Sequence, residues 1–302
     1  MTECSGSALL GASVRLRPAS PLRAALKRAP GNLVEGVCRP AGRGTGTRPR
    51  KRLVLLAVAG LLAGSLAVGA PSAQGAEGTA KAIAAAVADP ARPAADRERD
   101  ALRRPADCVA FAGVRPGMTV AELFPGKGYF TRIFSRVVGP RGRVYVFTSP
   151  PKKPGTPIPV KAIAADPHYQ HNITVLVAPI ADFHVPRPVD LVWTSQNYHD
   201  LHDIPGLNVA DFDRAVYKAL KPGGIYLVLD HAAPAGSGFS DTSTLHRIDP
   251  DAAKKEIMSA GFEFVGESDV LRNPDDPHTK AVFDPSIRGR TDQFIYKFRK
   301  PR

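Results

Sequence analysis

The chain has 302 residues, 43% of them hydrophobic, which is enough for a substantial core in one large domain or two ordinary ones. Residues 1–52 hold eleven Lys and Arg against two Glu, a net charge of +9, and residues 53–302 hold the other 30 basic and 26 acidic residues, a net charge of +4. Most of the basic excess lies in residues 1–52, which we call the leader. The composition therefore argues against a nucleic-acid-binding domain in the rest of the chain.

The leader carries the pattern of a signal peptide. RPRKR at 48–52 precedes the apolar run 53–69, and small residues follow it. This order predicts export with cleavage between Ala70 and Ala76. The run has no polar face, which argues against a helix packed in a core. It is slightly shorter than the roughly 20 residues that span a bilayer, so an uncleaved membrane anchor is the alternative.

Four segments are predicted from this pattern. They are a disordered basic leader or mis-called start at 1–52, a signal-peptide core and cleavage region at 53–76, a helical or mobile lead-in at 77–105, and a folded domain at 106–302. Export places the folded domain in the periplasm or outside the cell. Membrane contact is expected only through the signal peptide or an uncleaved anchor.

Cysteine chemistry is not expected to stabilise the folded domain. Cys4 and Cys38 lie in the leader, so Cys108 has no partner for an internal disulfide. Its apolar neighbours indicate a buried small residue rather than a nucleophile. Without a CxxC motif or a cysteine set spaced with histidines, a structural zinc site is not expected either.

Strand and helix patterns alternate along the domain, with Gly and Pro at their boundaries. The predicted strands are 119–124, 143–148, 172–178, 189–195, 224–230, 262–270 and 293–299. The predicted helices are 106–112, 129–138, a short one after the Pro-rich loop 149–159, 211–220 and 250–260. Helix 211–220 is expected to end in a left-handed cap at Gly223 or Gly224. The alternation predicts one α/β domain on a mostly parallel sheet.

The turn after the first strand, PGKG, is the first candidate binding element. Gly126 and Gly128 lack a β-carbon, so their backbone can take positive φ and approach a ligand closely. The helix that begins near Tyr129 points free N–H groups at the same place. Valine at either glycine is predicted to block the ligand while sparing the fold. The alternative is a turn that only connects strand to helix.

Two nucleotide-binding patterns are disfavoured at this turn. A dinucleotide site requires G-x-G-x-x-G, but Thr131 stands at the third glycine position, and the second strand ends without a carboxylate. Lys127 does not belong to a P-loop, because the spacing G-x-x-x-x-G-K-[ST] is absent. A nicotinamide oxidoreductase and a nucleotide hydrolase are therefore not predicted.

Three segments in order, TVAELFPGKGYFTRIF, VDLVWTSQNYHDLHD and ALKPGGIYLVLDH, resemble class I S-adenosylmethionine-dependent methyltransferases. In particular, the chain is similar to the predicted exported members, whose first motif has an aromatic-Pro-Gly turn. The resemblance covers residues 95–300. It implies a Rossmann-like methyltransferase fold with a mostly parallel seven-stranded sheet. The implied strand order is 3-2-1-4-5-7-6, with the last strand antiparallel and helices on both faces.

The resemblance also implies S-adenosylmethionine as cofactor. The implied contacts are Glu122 near the ammonium of the methionine part, Phe124, Gly126 and Gly128 in the turn, Thr148 near the ribose, and Asp182 near the adenine. Phe124 stands where the family usually has glycine. The usual acidic residue at the end of the second strand is missing, so Thr148 or Ser149 is expected to offer a hydroxyl in its place.

Histidines cluster at the carboxyl ends of the fourth and fifth predicted strands. His199, His202 and His231 are the candidate catalytic residues, in the order of preference His199, His231, His202. Each can act as a general base near neutral pH. A loop that only shapes the pocket and a metal ligand set are the alternatives, and no metal is predicted because the spacing is loose.

The function predicted from these features is methyl transfer from S-adenosylmethionine to a small-molecule or cell-envelope acceptor. The reaction requires the nucleophile to be held about 3 Å from the methyl group in a dry cleft. Because S-adenosylmethionine is made in the cytoplasm, an exported non-catalytic binding protein that keeps the fold is the alternative.

Overall fold

A seven-stranded sheet forms the centre of the computed structural model, which describes residues 73–169 and 172–302. The strands are β1 Thr119–Leu123, β2 Arg143–Thr148, β3 Ile173–Val177, β4 Val189–Ser195, β5 Leu220–His231, β6 Glu263–Ser268 and β7 Gln293–Arg299. Their order is β3-β2-β1-β4-β5-β7-β6. Strands β1 to β5 are parallel, and β7 is antiparallel to both β5 and β6. The predicted fold and strand order are confirmed.

Nine α-helices accompany the sheet in the described residues. They are α1 Ala73–Val87, α2 Ala94–Arg97, α3 Asp100–Arg103, α4 Pro105–Ala112, α5 Tyr129–Val138, α6 Pro159–Ala165, α7 Val209–Ala219, α8 Thr242–Leu245 and α9 Pro250–Ser259. Two 3-10 helices, Ile180–Asp182 and His199–Asp203, follow β3 and β4. No helix in the described part of the chain is both long enough and apolar enough to cross a membrane.

Alternate residues of the central strands supply the cores on the two faces of the sheet. On β1, Val120 packs in the cluster that includes α1, α4 and α5, whereas Ala121 packs in the cluster that includes α7 and α9. On β4, Trp193 packs in the first of these clusters and Val192 packs in the second. Because successive strand side chains point to opposite faces, both faces are covered and the carboxyl edge of the sheet is left for a site.

The end of α7 differs from the prediction. The helix stops at Ala219, and Leu220 is already extended, so the left-handed cap does not form. Gly223 does take positive φ, at 76°, but it lies within β5, where its N–H donates to the Lys300 carbonyl at 2.9 Å. The glycine therefore serves an irregular start of β5 rather than the end of α7.

Candidate functional site

The turn after β1 lies at the carboxyl edge of the sheet and holds three residues with positive φ. Phe124, Gly126 and Gly128 have φ of 49°, 56° and 79°. Glycine takes this conformation without steric cost, whereas for Phe124 it costs about 1–2 kcal/mol. The Phe124 N–H donates to the Phe147 carbonyl of β2 at 3.0 Å. A strained aromatic residue therefore occupies the position where the similar family has glycine.

The two glycines of the turn have different surroundings. A Cβ on Gly126 would meet no atom within 4 Å, so Gly126 borders open space. A Cβ on Gly128 would stand 2.1 Å from Ile163 Cδ1 of α6. Gly128 therefore leaves room for α6, and valine at Gly128 would require the Ile163 side chain to move. The contact of Gly128 with the cofactor stays a prediction.

Glu122 is a buried carboxylate near the end of β1. Its side chain accepts a 2.5 Å hydrogen bond from Thr131 Oγ1 of α5, and the residue is 3% exposed. Burial raises the pKa of Glu122 to about 7, against the opposing effects of the Thr131 hydrogen bond and the Arg103 charge. A cationic ligand beside Glu122 would therefore stabilise the ionised form of its buried carboxylate.

The lead-in packs over this turn. Tyr129, the first residue of α5, donates to Asp100 Oδ1 of α3 at 2.5 Å, and the buried Arg92 donates to both Asp100 oxygens at 2.7 and 2.8 Å. These bonds fix α3 at the N-terminus of α5. They bring Arg99 and Arg103 to the carboxyl edge of the sheet, within 5.6 and 4.4 Å of the Tyr129 ring centroid.

Arg103 is a cation without an ion pair. It donates to Ser195 Oγ of β4 at 3.1 Å and lies 5.0 Å from the Phe130 ring centroid. No carboxylate among the described residues lies within 4.0 Å of its guanidinium nitrogens. Burial and the neighbouring Arg99 lower the pKa of Arg103 to about 10. The guanidinium is thus available to the carboxylate of a ligand.

A cavity of about 340 Å³, the turn cavity, opens between the β1 turn and α3. Glu122 and Arg103 both line it, together with Phe124, Gly126 and Trp193. A carboxylate and a guanidinium in one cavity match an ammonium and a carboxylate, the charged groups of the methionine part of S-adenosylmethionine. The residues present therefore fit the amino-acid end of this cofactor.

Thr148 and Asp182 lie outside the lining of the turn cavity. Thr148 ends β2, and its hydroxyl donates to the Ser149 carbonyl at 3.4 Å. Asp182 is exposed in the 3-10 helix after β3. Both residues stand at the carboxyl edge of the sheet, and their contacts with the ribose and adenine stay predictions.

His199 is buried beside Asp230 of β5. The His199 N–H donates to Asp230 Oδ2 at 2.8 Å, and Nδ1 lies 2.8 Å from Asp230 Oδ1. Its Nε2 lies 3.2 Å from Asp200 Oδ1. Burial opposes a positive charge on the ring, but Asp230 and Asp200 outweigh it and raise the pKa of His199 to about 10. The His199 ring does not line the turn cavity.

The other two candidate histidines point to different places. His231 Nδ1 lies 2.7 Å from Thr291 Oγ1, and burial lowers the pKa of His231 to about 4. His202 stacks on Phe239 with ring centroids 4.1 Å apart, and its Nε2 lies 3.1 Å from Glu256 Oε2. The structure therefore does not bring the three histidines to one cavity, and their catalytic roles stay predictions.

A second cavity of about 510 Å³, the arginine cavity, adjoins the turn cavity. Arg99, Arg103 and Gln196 line both cavities, and Arg288 and His231 line only the second. Gln196 takes positive φ, at 61°, directly after β4. Sequence analysis missed Arg99, Arg103, Gln196 and Arg288, because single polar residues in loops and short helices produce no motif or period.

Sequence comparison finds relatives among methyltransferases, although no protein-family model matches the chain. The chain is 34% identical over 186 residues to the ubiquinone/menaquinone biosynthesis C-methyltransferase UbiE of Shewanella woodyi (strain ATCC 51908 / MS32). The match covers 58% of this chain and 67% of that protein. UbiE of Shewanella halifaxensis (strain HAW-EB4) is 34% identical over 188 residues, with 58% and 68% covered.

Solved structures show the same fold at low identity. The (4+2)-cyclase SpnF gives a TM-score of 0.50 at 16% identity, covering 76% of this chain and 95% of that chain. A SAM-dependent methyltransferase from Aquifex aeolicus gives a TM-score of 0.47 at 16% identity, covering 64% and 87%. Likeness at this identity indicates the fold alone, and one fold can host several reactions.

Proposed function

The chain belongs to the class I S-adenosylmethionine-dependent methyltransferase superfamily, and we propose that it methylates an anionic acceptor with an apolar body in the arginine cavity. When bound, S-adenosylmethionine supplies a methyl group on a sulfonium sulfur. The observation that carries the proposal is the shared wall of the two cavities, Arg99, Arg103 and Gln196. An acceptor in the arginine cavity is thus a direct neighbour of a ligand in the turn cavity.

The lining of the arginine cavity favours negative charge. Arg99, Arg103 and Arg288 border it, and no Asp or Glu of the described residues does. A cleft lined by one sign of charge concentrates ions of the opposite sign. Leu102 and Phe283 also border it and are 49% and 57% exposed, and exposed apolar surface is a common sign of a binding site. These features together suit an amphiphilic anion.

An aromatic anion is one member of this class. An ionised hydroxyl makes the neighbouring ring carbons nucleophilic, and the UbiE relatives are C-methyltransferases. Carbon methylation of such an acceptor is therefore compatible with the proposal.

Gln196 and His231 are the residues that would position the acceptor in the arginine cavity. The Gln196 amide donates to Gln293 Oε1 at 2.9 Å, which fixes both side chains at the cavity wall. His231 is the candidate catalytic histidine that lines the arginine cavity. Because burial lowers the pKa of His231 to about 4, the ring is neutral at pH 7, and with Nδ1–H donating to Thr291 Oγ1 its Nε2 can accept a hydrogen bond that positions the acceptor.

The test uses the purified full chain, methyl-labelled S-adenosylmethionine and cell-envelope extract. The extract is first passed over an anion-exchange resin at neutral pH, and each fraction is assayed for incorporation of label. We expect acceptor activity to be retained by the resin. We expect Arg288→Gln to raise the KM for the acceptor about tenfold or more, because a hydrogen bond to a charged group contributes about 1.5–3 kcal/mol.

The matched control is Arg141→Gln. Arg141 is exposed in the loop between α5 and β2, at the opposite edge of the sheet from both cavities, and its substitution should leave KM unchanged. Acceptor activity in the unretained fraction, or an unchanged KM in Arg288→Gln, contradicts an anionic acceptor. Calorimetric binding of S-adenosylmethionine without label transfer to any fraction favours the non-catalytic binding protein.

We also infer that the chain is exported. The inference rests on the charged, apolar and small-residue order at 48–76, most of which lies outside the described residues. Cell fractionation with N-terminal sequencing tests it, and the expected result is an envelope or external chain that begins between Ala70 and Ala76. A full-length chain in the cytosol contradicts export and places the protein where its cofactor is made.

A further inference from the structure

Three potential metal ligands meet at the outer side of the 3-10 helix His199–Asp203. They are His199, Asp200 and His246, whose candidate ligand atoms all lie within 4.8 Å of one another. Asp200 Oδ1 lies 3.2 Å from His199 Nε2 and 3.6 Å from His246 Nδ1. The fold thus brings these atoms together although His246 is 46 positions away from Asp200 in the chain.

The separations match those of a tetrahedral metal site. Zinc binds His nitrogen and carboxylate oxygen at about 2.0–2.2 Å, so two such ligands at the tetrahedral angle lie about 3.3–3.5 Å apart. The two measured separations, 3.2 and 3.6 Å, bracket that value. Two imidazoles and one carboxylate form a ligand set that suits divalent first-row transition metals.

A second observation concerns how His199 is held. Asp230 receives the backbone N–H of His199 and lies 2.8 Å from His199 Nδ1, so Nε2 is the ring nitrogen turned towards Asp200. Metal-binding histidines commonly give their other N–H to a carboxylate in this way, which fixes the tautomer and the ring orientation. Asp230 itself is fully buried and also accepts the His231 N–H at 2.8 Å.

The third ligand is set by an unusual backbone conformation. His246 takes positive φ, at 54°, at the end of α8, and its ring lies edge-on to Phe283 with centroids 4.9 Å apart. Positive φ in a residue other than glycine is uncommon and is often found at functional sites. The side chains of Asp200 and His246 are 47% and 35% exposed, so a fourth coordination position is open to solvent.

We propose that His199, Asp200 and His246 bind one divalent transition-metal ion of the Zn²⁺ class, with Asp230 orienting His199. This differs from the sequence-based expectation of no metal. The proposed site borders the arginine cavity through Phe283, which lines that cavity and contacts the His246 ring. The proposal concerns metal binding alone and does not depend on the identity of the methyl acceptor.

The experiment titrates the untagged, metal-free full chain with Co²⁺, whose visible absorption reports four-coordinate binding, and then displaces Co²⁺ with Zn²⁺. We expect one ion per chain at this site, with affinity lowered at least about tenfold in Asp200→Asn and in His246→Gln, because loss of even an outer-shell partner of a metal ligand typically costs about 10–100-fold. The matched control is His184→Gln, since His184 is exposed and its Nδ1 lies near the Asp182 carbonyl. The control should bind Co²⁺ as wild type does.

Both ligand variants replace partly exposed side chains, and thermal unfolding of each checks its fold. If one variant unfolds, the other decides the test. Absence of the four-coordinate absorption in wild type, or equal affinity in wild type and both ligand variants, overturns the proposal and leaves the three residues as an ion-pair network. Loss of binding in His184→Gln would also overturn it by placing the ion elsewhere.

Discussion

Replacing Glu122 by Gln should make the folded protein more stable above neutral pH and weaken cofactor binding. The wild-type carboxylate is buried, and burial raises its pKa from 4.5 to about 7. A raised pKa means that the folded state holds this proton more tightly than the unfolded state does. The stability that the protonated form provides is fully present below pH 4.5 and is lost as the pH rises through 7.

The size of this effect follows from the shift. The difference between about 7 and 4.5, at 1.36 kcal/mol for each pH unit, corresponds to about 3 kcal/mol of lost stability in wild type above pH 7. Gln has the size of Glu and keeps an oxygen that can accept from Thr131, but it does not ionise in this range. The unfolding free energies of the two proteins should therefore converge near pH 4.5 and differ most at pH 8.

Glu122→Gln should bind S-adenosylmethionine more weakly than wild type, although it is more stable. Glu122 lines the turn cavity opposite Arg103, where its charge suits the ammonium of the methionine part. Loss of a hydrogen bond to a charged group costs about 1.5–3 kcal/mol, so the Kd for S-adenosylmethionine should rise by about ten- to a hundredfold at pH 8.

Urea unfolding at pH 5, 6, 7 and 8 and isothermal calorimetry at pH 8 measure the two effects. Other groups also titrate over this range, so the quantity compared is the difference between Glu122→Gln and wild type. A difference in unfolding free energy that stays constant with pH would refute the raised pKa. An unchanged Kd would remove Glu122 from the cofactor site.

Two further predictions concern the turn and the lead-in. Gly126→Val should weaken S-adenosylmethionine binding in calorimetry. Both valine variants should lose stability in urea unfolding because both glycines have positive φ, and Gly128→Val should lose more because its Cβ would also stand 2.1 Å from Ile163 Cδ1. Equal stability of the two variants would contradict this distinction. Tyr129→Phe removes the hydroxyl that donates to Asp100, so it should destabilise the protein by about 1–3 kcal/mol and speed hydrogen exchange in residues 94–103. Unchanged exchange there would show that α3 is held by other contacts.

The fold was predictable because the residue pattern of each strand lies within a short stretch of the sequence. The predicted bounds of β2, β4 and β7 agree with the structure. Apolar runs indicated β2 and β4, since strands covered on both faces need apolar side chains at nearly every position, and alternation of aromatic with other residues indicated β7. The strand order came from the resemblance rather than from periodicity. The end of α7 was predicted less well, because KPGG can either cap a helix or begin an irregular strand, and only the pairing of β5 with β4 and β7 selects the second.

The site was predictable from the sequence in the turn after β1 and at His231. Glu122, Phe124 and Gly126 do line the turn cavity, as the motif implied. Arg99 and Arg103 were missed because they lie in the lead-in, whose Ala, Arg and Asp composition gives no sign of a docked segment. The hydrogen bonds of Asp100 to Arg92 and Tyr129 make that segment part of the site, and Tyr129 lies 29 positions away from Asp100.

The histidines show why nearness to a strand end is a poor guide to a catalytic role. His199 follows β4 closely, but the 3-10 helix turns its ring towards Asp230, and it borders neither cavity. His231 ends β5 beside Asp230 and lines the arginine cavity. The neighbouring parallel strands β4 and β5 thus lead to His199, whose ring contacts Asp230, and to His231, which lines the arginine cavity. Asp230 contacts both residues: it orients the His199 ring, on which the metal proposal depends, and it accepts the backbone N–H of His231.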